Sequence, residues 1–291
     1  MTFNPDAVFI SPSSISDFKS CPQLYYYRNV YRSPKTGLKI ALVNPKLTLG
    51  QAVHGTLHRF LYSNLTFKTK EQLFNIFETL WKETTGEKGG FSSALEEKGI
   101  KDRGLKMLQR FFANDHFKNT IPVKLSDFPK LELGDDIILT GQLDWVEEEP
   151  DKSYHIVDFK TGENEEKSGS VQLPTYAVLA SGYLKSTKLK ASYWYLDRND
   201  NLEAYELPDL EVTKENLKRF GMIIKNARLT HSFSCLSGFE ACYACKDIKE
   251  VAEGKGKLVA IDYSRKQEIY ILKNIVEQRQ EIKQAESDLP F

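Results

Sequence analysis

The sequence has no long apolar segment and few cysteines. No run approaches the roughly 18 consecutive apolar residues that a membrane-spanning helix requires. Residues 1–20 lack a basic start followed by an apolar block, so we expect no secretory signal and a cytoplasmic protein without membrane association. The 291 residues include four cysteines, and an intracellular enzyme is expected to use so few as thiols or metal ligands rather than as disulfides.

The chain also lacks internal repeats, low-complexity stretches and net charge, since Lys+Arg and Asp+Glu are 40 each. The charges are nevertheless uneven: residues 1–70 contain nine basic and two acidic residues, whereas residues 131–170 contain twelve acidic residues and three lysines. This asymmetry suits a protein that holds a polyanion beside a cation-binding site. The run Glu147, Glu148 and Glu149 has a second explanation, a solvated hairpin turn.

The order of predicted elements indicates a mixed α/β fold. Hydrophobic spacing predicts helices over 49–62, 71–83, 101–114, 170–184 and 263–285, and a helix from a Thr213 cap to about residue 229. Strand-rich segments lie at 130–133, 136–147, 154–160, 190–197 and 202–207. We expect one composite domain over 1–291: a helical N-terminal part and insertion over about 1–121, a core over about 122–230, and a cysteine-bearing segment with a C-terminal helix over about 231–291.

Two acidic strands carry the chemistry. Asp158 and Lys160 are two residues apart on a strand and point the same way, whereas Phe159 points to the opposite face. Asp144 lies on the preceding strand, joined by a turn near Pro150, and can approach Asp158 across the pair. Paired carboxylates repel unless they are protonated or bridged by a cation, and oxygen ligands suit Mg²⁺ or Mn²⁺. A surface salt bridge is the alternative explanation of Asp158 and Lys160.

Four motifs in one order resemble the RecB-like branch of the PD-(D/E)XK nuclease superfamily. The strands Gly141–Asp144 and Ile156–Gly162 resemble the family's "G-x-(I/L)-D" and "(V/I)-(V/I)-D-(F/Y)-K-(T/S)-G" patterns. Upstream, residues 50–54 resemble its "G-x-x-x-H" helix, and downstream, residues 172–176 resemble its "Q-x-x-x-Y" helix. The resemblance implies a restriction-endonuclease-like core, in which a central mixed sheet is flanked by helices, with a helical insertion.

The resemblance also implies roles for individual residues. Asp144 and Asp158 would bind the catalytic Mg²⁺ or Mn²⁺, with the Phe159 carbonyl and His54 as further ligands. Lys160 would position or polarise the attacking water. Gln172 and Tyr176, one helical turn apart, would hold the DNA strand near the site.

The cysteines are divided between the two ends of the chain. Cys21 precedes the His54 helix, and the other three are Cys235, Cys242 and Cys245. Thiolates are the ligands of iron–sulfur clusters and of zinc. The one-plus-three layout resembles family members with a four-iron four-sulfur (4Fe–4S) cluster, including CRISPR-adaptation nucleases, and zinc is the alternative. The family usually places its last cysteine several residues after the C-x₂-C pair, whereas Cys235 comes earlier, so its role as a ligand is open.

These observations lead to three hypotheses. The first is a metal-dependent deoxyribonuclease, exonuclease-like on single-stranded or end-containing DNA, acting in repair, recombination or CRISPR adaptation with a helicase or CRISPR-adaptation protein as a partner. The second is a catalytically silent DNA-binding scaffold subunit of such a complex. The third is a zinc-dependent protein in which His54 and His58, one helical turn apart, are the ligands.

Overall fold

The structure is a computed structural model of the chain, and it describes residues 4, 6–63, 68–118, 120–166, 169–238 and 241–272. The helices are α1 (Pro12–Ser20), α2 (Pro22–Tyr25), α3 (Pro45–Leu61), α4 (Lys70–Lys82), α5 (Ala94–Ala113), α6 (Gln172–Leu184), α7 (Leu210–Leu229) and α8 (Lys246–Ala252). The strands are β1 (Val8–Ile10), β2 (Lys39–Leu42), β3 (Ile121–Pro122), β4 (Lys130–Gly134), β5 (Ile137–Thr140), β6 (Trp145–Glu148), β7 (Tyr154–Lys160), β8 (Leu189–Tyr195), β9 (Glu203–Tyr205), β10 (Gly256–Asp262) and β11 (Gln267–Leu272). The predicted mixed α/β fold of restriction-endonuclease type is confirmed.

The chain divides into two compact units. Among the described residues, the first unit comprises those within 4–16, 54–74 and 106–232, and the second comprises those within 17–53, 75–105 and 233–272. The organisation as one composite domain stays a prediction.

A five-stranded mixed sheet is the centre of the first unit. Its strand order is β3-β6-β7-β8-β9, in which β7 runs parallel to β8 and antiparallel to β6. A second sheet, β1-β5-β4, precedes it in the same unit. The predicted strand over 136–147 is therefore two strands, interrupted at residues 141–144 just before β6.

Aromatic side chains cover one face of this sheet. Phe159 of β7 and Trp194 of β8 are buried, and their rings lie 6.1 Å apart. Phe111 of α5 contacts both, at 5.8 Å from Phe159 and 5.6 Å from Trp194. Because side chains alternate along a strand, this packing leaves Asp158 and Lys160 on the opposite face.

A three-stranded sheet, β10-β11-β2, lies in the second unit. The predicted helix over 263–285 is wrong for residues 263–272, which form a turn and the strand β11, and residues 273–285 lie outside the described part of the chain. The physical reason is composition, since Ile269, Tyr270 and Ile271 favour a strand and find a partner on each side, in β10 and β2.

The start of α7 also differs from the prediction. Asp209, not Thr213, is the N-cap, and its carboxylate accepts a hydrogen bond from Val212 N at 2.8 Å. Among the helices that the structure describes, none combines the length and the apolar character needed to cross a lipid bilayer.

Candidate active site

Asp158 lies on the polar face of β7. Its side chain is 2% exposed, and its neighbour Lys160 is 16% exposed, with Lys160 Nζ 3.0 Å from Asp158 Oδ2. Burial, and then repulsion by the Asp144 carboxylate, raise the pKa of Asp158 to about 7. Asp158 is thus a buried carboxyl group that holds its proton more tightly than an exposed aspartate and that faces the Lys160 ammonium.

Asp144 is the second carboxylate of the site. It is the last residue of the interruption between β5 and β6, and its Oδ2 accepts a hydrogen bond from Phe159 N at 3.0 Å. This bond holds Asp144 against β7 at Phe159, the residue next to Asp158. The backbone of Phe159 therefore fixes one carboxylate while its ring anchors the strand in the core.

His54 lies on α3 and reaches the same carboxylate. Its Nδ1 lies 2.9 Å from Asp144 Oδ1. Burial lowers the pKa of His54, but the charge and hydrogen bond of Asp144 outweigh it, so that the pKa is raised above 6.5. His58, the other histidine of this helix, instead stacks its ring 5.1 Å from that of Tyr62.

Lys160 is surrounded by groups that favour its charged form. Besides Asp158, Glu166 Oε2 lies 2.7 Å from Nζ, and the Tyr193 ring centroid lies 4.9 Å from it. Burial lowers the pKa of Lys160, but these carboxylates raise it well above its ordinary value. Lys160 is therefore an ammonium, not a base.

Gln172, the first residue of α6, bridges the ion pair. Its Nε2 donates to Asp158 Oδ1 at 2.7 Å, and its Oε1 accepts from Lys160 Nζ at 2.5 Å. Tyr176, one turn later and 7% exposed, accepts a further bond from Gln172 Nε2 at 3.3 Å. Burial strongly raises the pKa of the Tyr176 phenol, so it remains protonated.

The donor set fits a divalent cation. Asp158 Oδ2 is buried and accepts no hydrogen bond from any residue that the structure describes, although it lies close to Lys160. Asp144 bonds to His54 and to the backbone of Phe159, the neighbour of Asp158, and carboxylate oxygens are the ligands that Mg²⁺ and Mn²⁺ prefer. The residues that could hold such an ion are Asp144, Asp158 and His54.

The comparison with protein families agrees with this geometry. Residues 10–288 match the family model of the PD-(D/E)XK nuclease superfamily. The chain belongs to the PD-(D/E)XK nuclease superfamily. A search of curated proteins finds no match for this nuclease. Among solved structures, the chain is similar to one from Eubacterium rectale named "Putative exonuclease", with 13% sequence identity and a TM-score of 0.47. The match covers 82% of this chain and 87% of that chain.

Sequence reasoning missed Glu166 as a member of the site. It lies in the loop between β7 and α6, among the acidic residues that follow Gly162. Its backbone N–H donates to the Tyr195 hydroxyl at 3.0 Å, which directs the carboxylate towards Lys160. The only signal in the sequence was this local cluster of glutamates, and a loop conformation decides which of them turns inward.

The four cysteines of the nuclease converge in the second unit. Cys21, Cys235, Cys242 and Cys245 are free thiols, and their Sγ atoms all lie within 4.8 Å of one another. Two of these distances, Cys235 to Cys245 and Cys242 to Cys245, are 3.7 Å. Cys235 therefore lies with the other three, although its place in the sequence is unusual.

The thiol cluster has the electrostatics of a ligand set. A backbone hydrogen bond from Ser237, assisted by bonds from Cys242, lowers the pKa of Cys235 to about 6. Burial, and then the neighbouring thiols, raise the pKa of Cys245 above its ordinary value. One thiolate among crowded thiols is the arrangement expected where a cation normally balances further thiolates.

Proposed function

We propose that this nuclease hydrolyses DNA phosphodiester bonds at the site of Asp144, Asp158 and Lys160. One observation carries the proposal: a buried Asp158 and a charged Lys160 lie 3.0 Å apart beside a second carboxylate, on one face of β7. A structural salt bridge needs no second carboxylate, and repulsion between the two carboxylates costs stability. The arrangement is explained by a cation that both carboxylates bind.

Asp144 and Asp158 would hold Mg²⁺ or Mn²⁺, with His54 and the Phe159 carbonyl as further ligands. When bound, the ion supplies Lewis-acid polarisation of the phosphate and lowers the pKa of a bound water. Lys160 contributes a fixed positive charge that stabilises the negative charge developing on the phosphate and orients the attacking water.

Gln172 and Tyr176 border the same site and are proposed to hold the DNA strand. In the structure Gln172 fixes the positions of Asp158 and Lys160 through both ends of its amide. Its proposed DNA contact therefore requires that the amide exchange one of these partners for the substrate.

The substrate is tested directly by cleavage assays. We expect Mn²⁺- or Mg²⁺-dependent degradation of end-labelled single-stranded and linear double-stranded DNA, with circular DNA resistant if the enzyme acts from ends as an exonuclease. Asp158→Ala is expected to be inactive, and the exposed Asp102→Asn is the matched control. Full activity in Asp158→Ala would overturn the proposal, and tight DNA binding without turnover under Mn²⁺ would favour the silent scaffold instead.

We further propose that the four cysteines bind a metal with a structural role. The resemblance to RecB-like and CRISPR-adaptation nucleases implies a 4Fe–4S cluster, and with it a role in repair, recombination or CRISPR adaptation beside a helicase or CRISPR-adaptation protein. A specific distance favours zinc as the alternative: Zn–S bonds of about 2.3 Å in a tetrahedron place sulfur atoms about 3.8 Å apart, and the cysteine pairs lie at 3.7 Å.

The metal is identified by analysis of protein purified without oxygen. A brown protein containing iron and sulfide supports the cluster, and a colourless protein with stoichiometric zinc supports a single ion. Cys21→Ser is expected to lose the metal and to lower the Tm, with the neighbouring exposed Ser20→Ala as control. Unchanged metal content in Cys21→Ser would contradict the proposal.

A further inference from the structure

On the other face of β7 lies a second cluster of metal-ligating side chains. His116 follows α5 in a short 3₁₀ helix, Glu147 lies on β6 and His155 lies on β7. One ligand atom from each lies within 4.8 Å of the other two. Because successive side chains of a strand point to opposite faces, His155 lies on the face opposite Asp158. The cluster is therefore separate from the proposed active site.

Glu147 is the centre of this cluster. It is 1% exposed, so the explanation of Glu147 as part of a solvated turn is wrong. Its Oε1 lies 2.6 Å from His116 Nε2 and 2.9 Å from His155 Nδ1. The strand register pairs Glu147 directly with His155, so the backbone itself brings this carboxylate and this imidazole together.

Two of the three groups, Glu147 and His155, are each held in place by a further contact. Trp145 Nε1 donates to Glu147 Oε2 at 2.7 Å, which leaves Oε1 directed at the histidines. Ser192 Oγ lies 2.8 Å from His155 Nε2, which fixes the ring and leaves Nδ1 facing the carboxylate. In metal sites of proteins, the ligand side chains are oriented by hydrogen bonds of this kind. A neighbouring residue bonds to the atom of the side chain that does not coordinate the ion.

The cluster borders a pocket of about 380 Å³. His116 and His155 line it together with Glu149 and Lys190. Glu149 Oε1 lies 3.8 Å from His155 Nδ1, and Lys190 Nζ lies 3.1 Å from Glu149 Oε2. The pocket thus offers a fourth position, for water or for the Glu149 carboxylate.

We propose that His116, Glu147 and His155 form a binding site for Zn²⁺ or for a divalent transition-metal ion that accepts the same ligands. Two imidazoles and one carboxylate with an open fourth position are a donor set that zinc accepts, whereas Mg²⁺ prefers sites in which oxygen ligands predominate. The ion replaces the protons that His116 and His155 share with Glu147, and it fastens the segment after α5 to the β6–β7 hairpin.

Counting zinc in variants of the full chain tests the site. Zn²⁺ bound per chain is measured after gel filtration for the wild type, His116→Gln and Glu147→Gln, with the exposed His231→Asn as the matched control. We expect each of the two cluster variants to bind one Zn²⁺ fewer than the wild type and His231→Asn to bind the same number. Equal zinc in all four proteins overturns the proposal.

Two further measurements separate this site from the cysteines and from the nuclease site. With Co²⁺ as the probe, His116→Gln is expected to lose visible absorption without losing the thiolate-to-metal charge-transfer band, which Cys21→Ser loses instead. Zn²⁺ is expected to raise the Tm of the wild type more than that of His116→Gln. If His116→Gln lowers the Tm of the metal-free protein and leaves both zinc content and the Co²⁺ spectrum unchanged, the cluster is a hydrogen-bond network and the proposal fails. None of these readouts depends on DNA cleavage.

Discussion

His54 and Asp144 are ninety positions apart in the chain, and their Nδ1 and Oδ1 atoms lie 2.9 Å apart. The same carboxylate accepts the backbone N–H of Phe159 through its other oxygen, so both oxygens of Asp144 are oriented before any ion binds. A helix and a strand thus together orient a carboxylate that we propose as a metal ligand. Removing either partner is expected to disturb metal binding before it disturbs folding.

The role of His54 can be measured as metal affinity. His54→Ala is expected to raise the Mn²⁺ concentration for half-maximal cleavage by about 10–100-fold, because Asp144 loses the group that orients it and the ion loses a proposed ligand. His58→Ala, on the same helix, is the control and is expected to leave that concentration unchanged. A wild-type metal requirement in both variants would remove His54 from the site, and an equally raised requirement in both would support the histidine-pair hypothesis.

The metal affinity is expected to depend on pH through Asp158. Its pKa is raised in the folded protein from 3.8 to about 7, by burial first and then by Asp144. The folded, metal-free protein holds a proton there that the unfolded chain has already released. This group therefore contributes stability that is fully present below the unfolded pKa and is lost as the pH rises through about 7. An ion that binds Asp158 must displace this proton.

Calorimetry in buffers of different ionisation enthalpy measures that displacement. We expect Mn²⁺ binding to release protons at about pH 6 and to weaken progressively as the pH falls below about 7. At about pH 8 the release from Asp158 should be nearly absent. Equal affinity and equal proton release at both pH values would show that Asp158 does not bind the ion.

The variant Lys160→Met tests whether the positive charge of Lys160 contributes to catalysis. Turnover is expected to fall by about 10²–10³-fold, the typical cost of losing one charge that stabilises a transition state. Mn²⁺ binding should persist at about pH 8, since both carboxylates remain and one positive charge has been removed beside them. The exposed Lys98→Met is the control. Loss of metal binding together with activity would assign Lys160 a structural rather than a catalytic role.

Glu166 is expected to act by positioning Lys160. Its carboxylate lies 2.7 Å from Lys160 Nζ, and a hydrogen bond to a charged group contributes about 1.5–3 kcal/mol. Glu166→Gln should therefore lower kcat by about tenfold or more while KM stays unchanged, and the Tm should fall by no more than the loss of one such bond explains. Glu165→Gln, whose carboxylate is 72% exposed and pairs with Arg198, is the adjacent control. Equal kcat in the two variants would exclude Glu166 from the site.

The strand pattern was enough to predict that Asp158 and Lys160 share a face, because alternation along a strand is a local property. The structure places His54 against Asp144, and its role as a metal ligand, which the resemblance implies, stays a prediction. The proximity of Glu147 to His116 was not predictable, because a segment from outside the hairpin has to fold back onto it. The strand β11 was missed for a related reason: its two neighbours, β10 and β2, are chosen by tertiary pairing, whereas the spacing of apolar residues within the segment favoured a helix.

The close approach of α7 to β5 gives a test of the fold that is independent of the site. A Cβ at Gly221 would lie 2.4 Å from Ile137 Cγ2, a side chain with no exposed surface. Gly221→Ala must therefore displace the helix or the strand, and we expect it to lower the free energy of unfolding by about 1–3 kcal/mol. Gly99 of α5 is the matched control, since a Cβ there meets nothing within 4 Å. Gly99→Ala should raise the free energy of unfolding by about 0.5–1 kcal/mol, because alanine loses less backbone entropy in a helix. Urea unfolding measures both changes, and equal effects of the two substitutions would contradict the packing of α7 on β5.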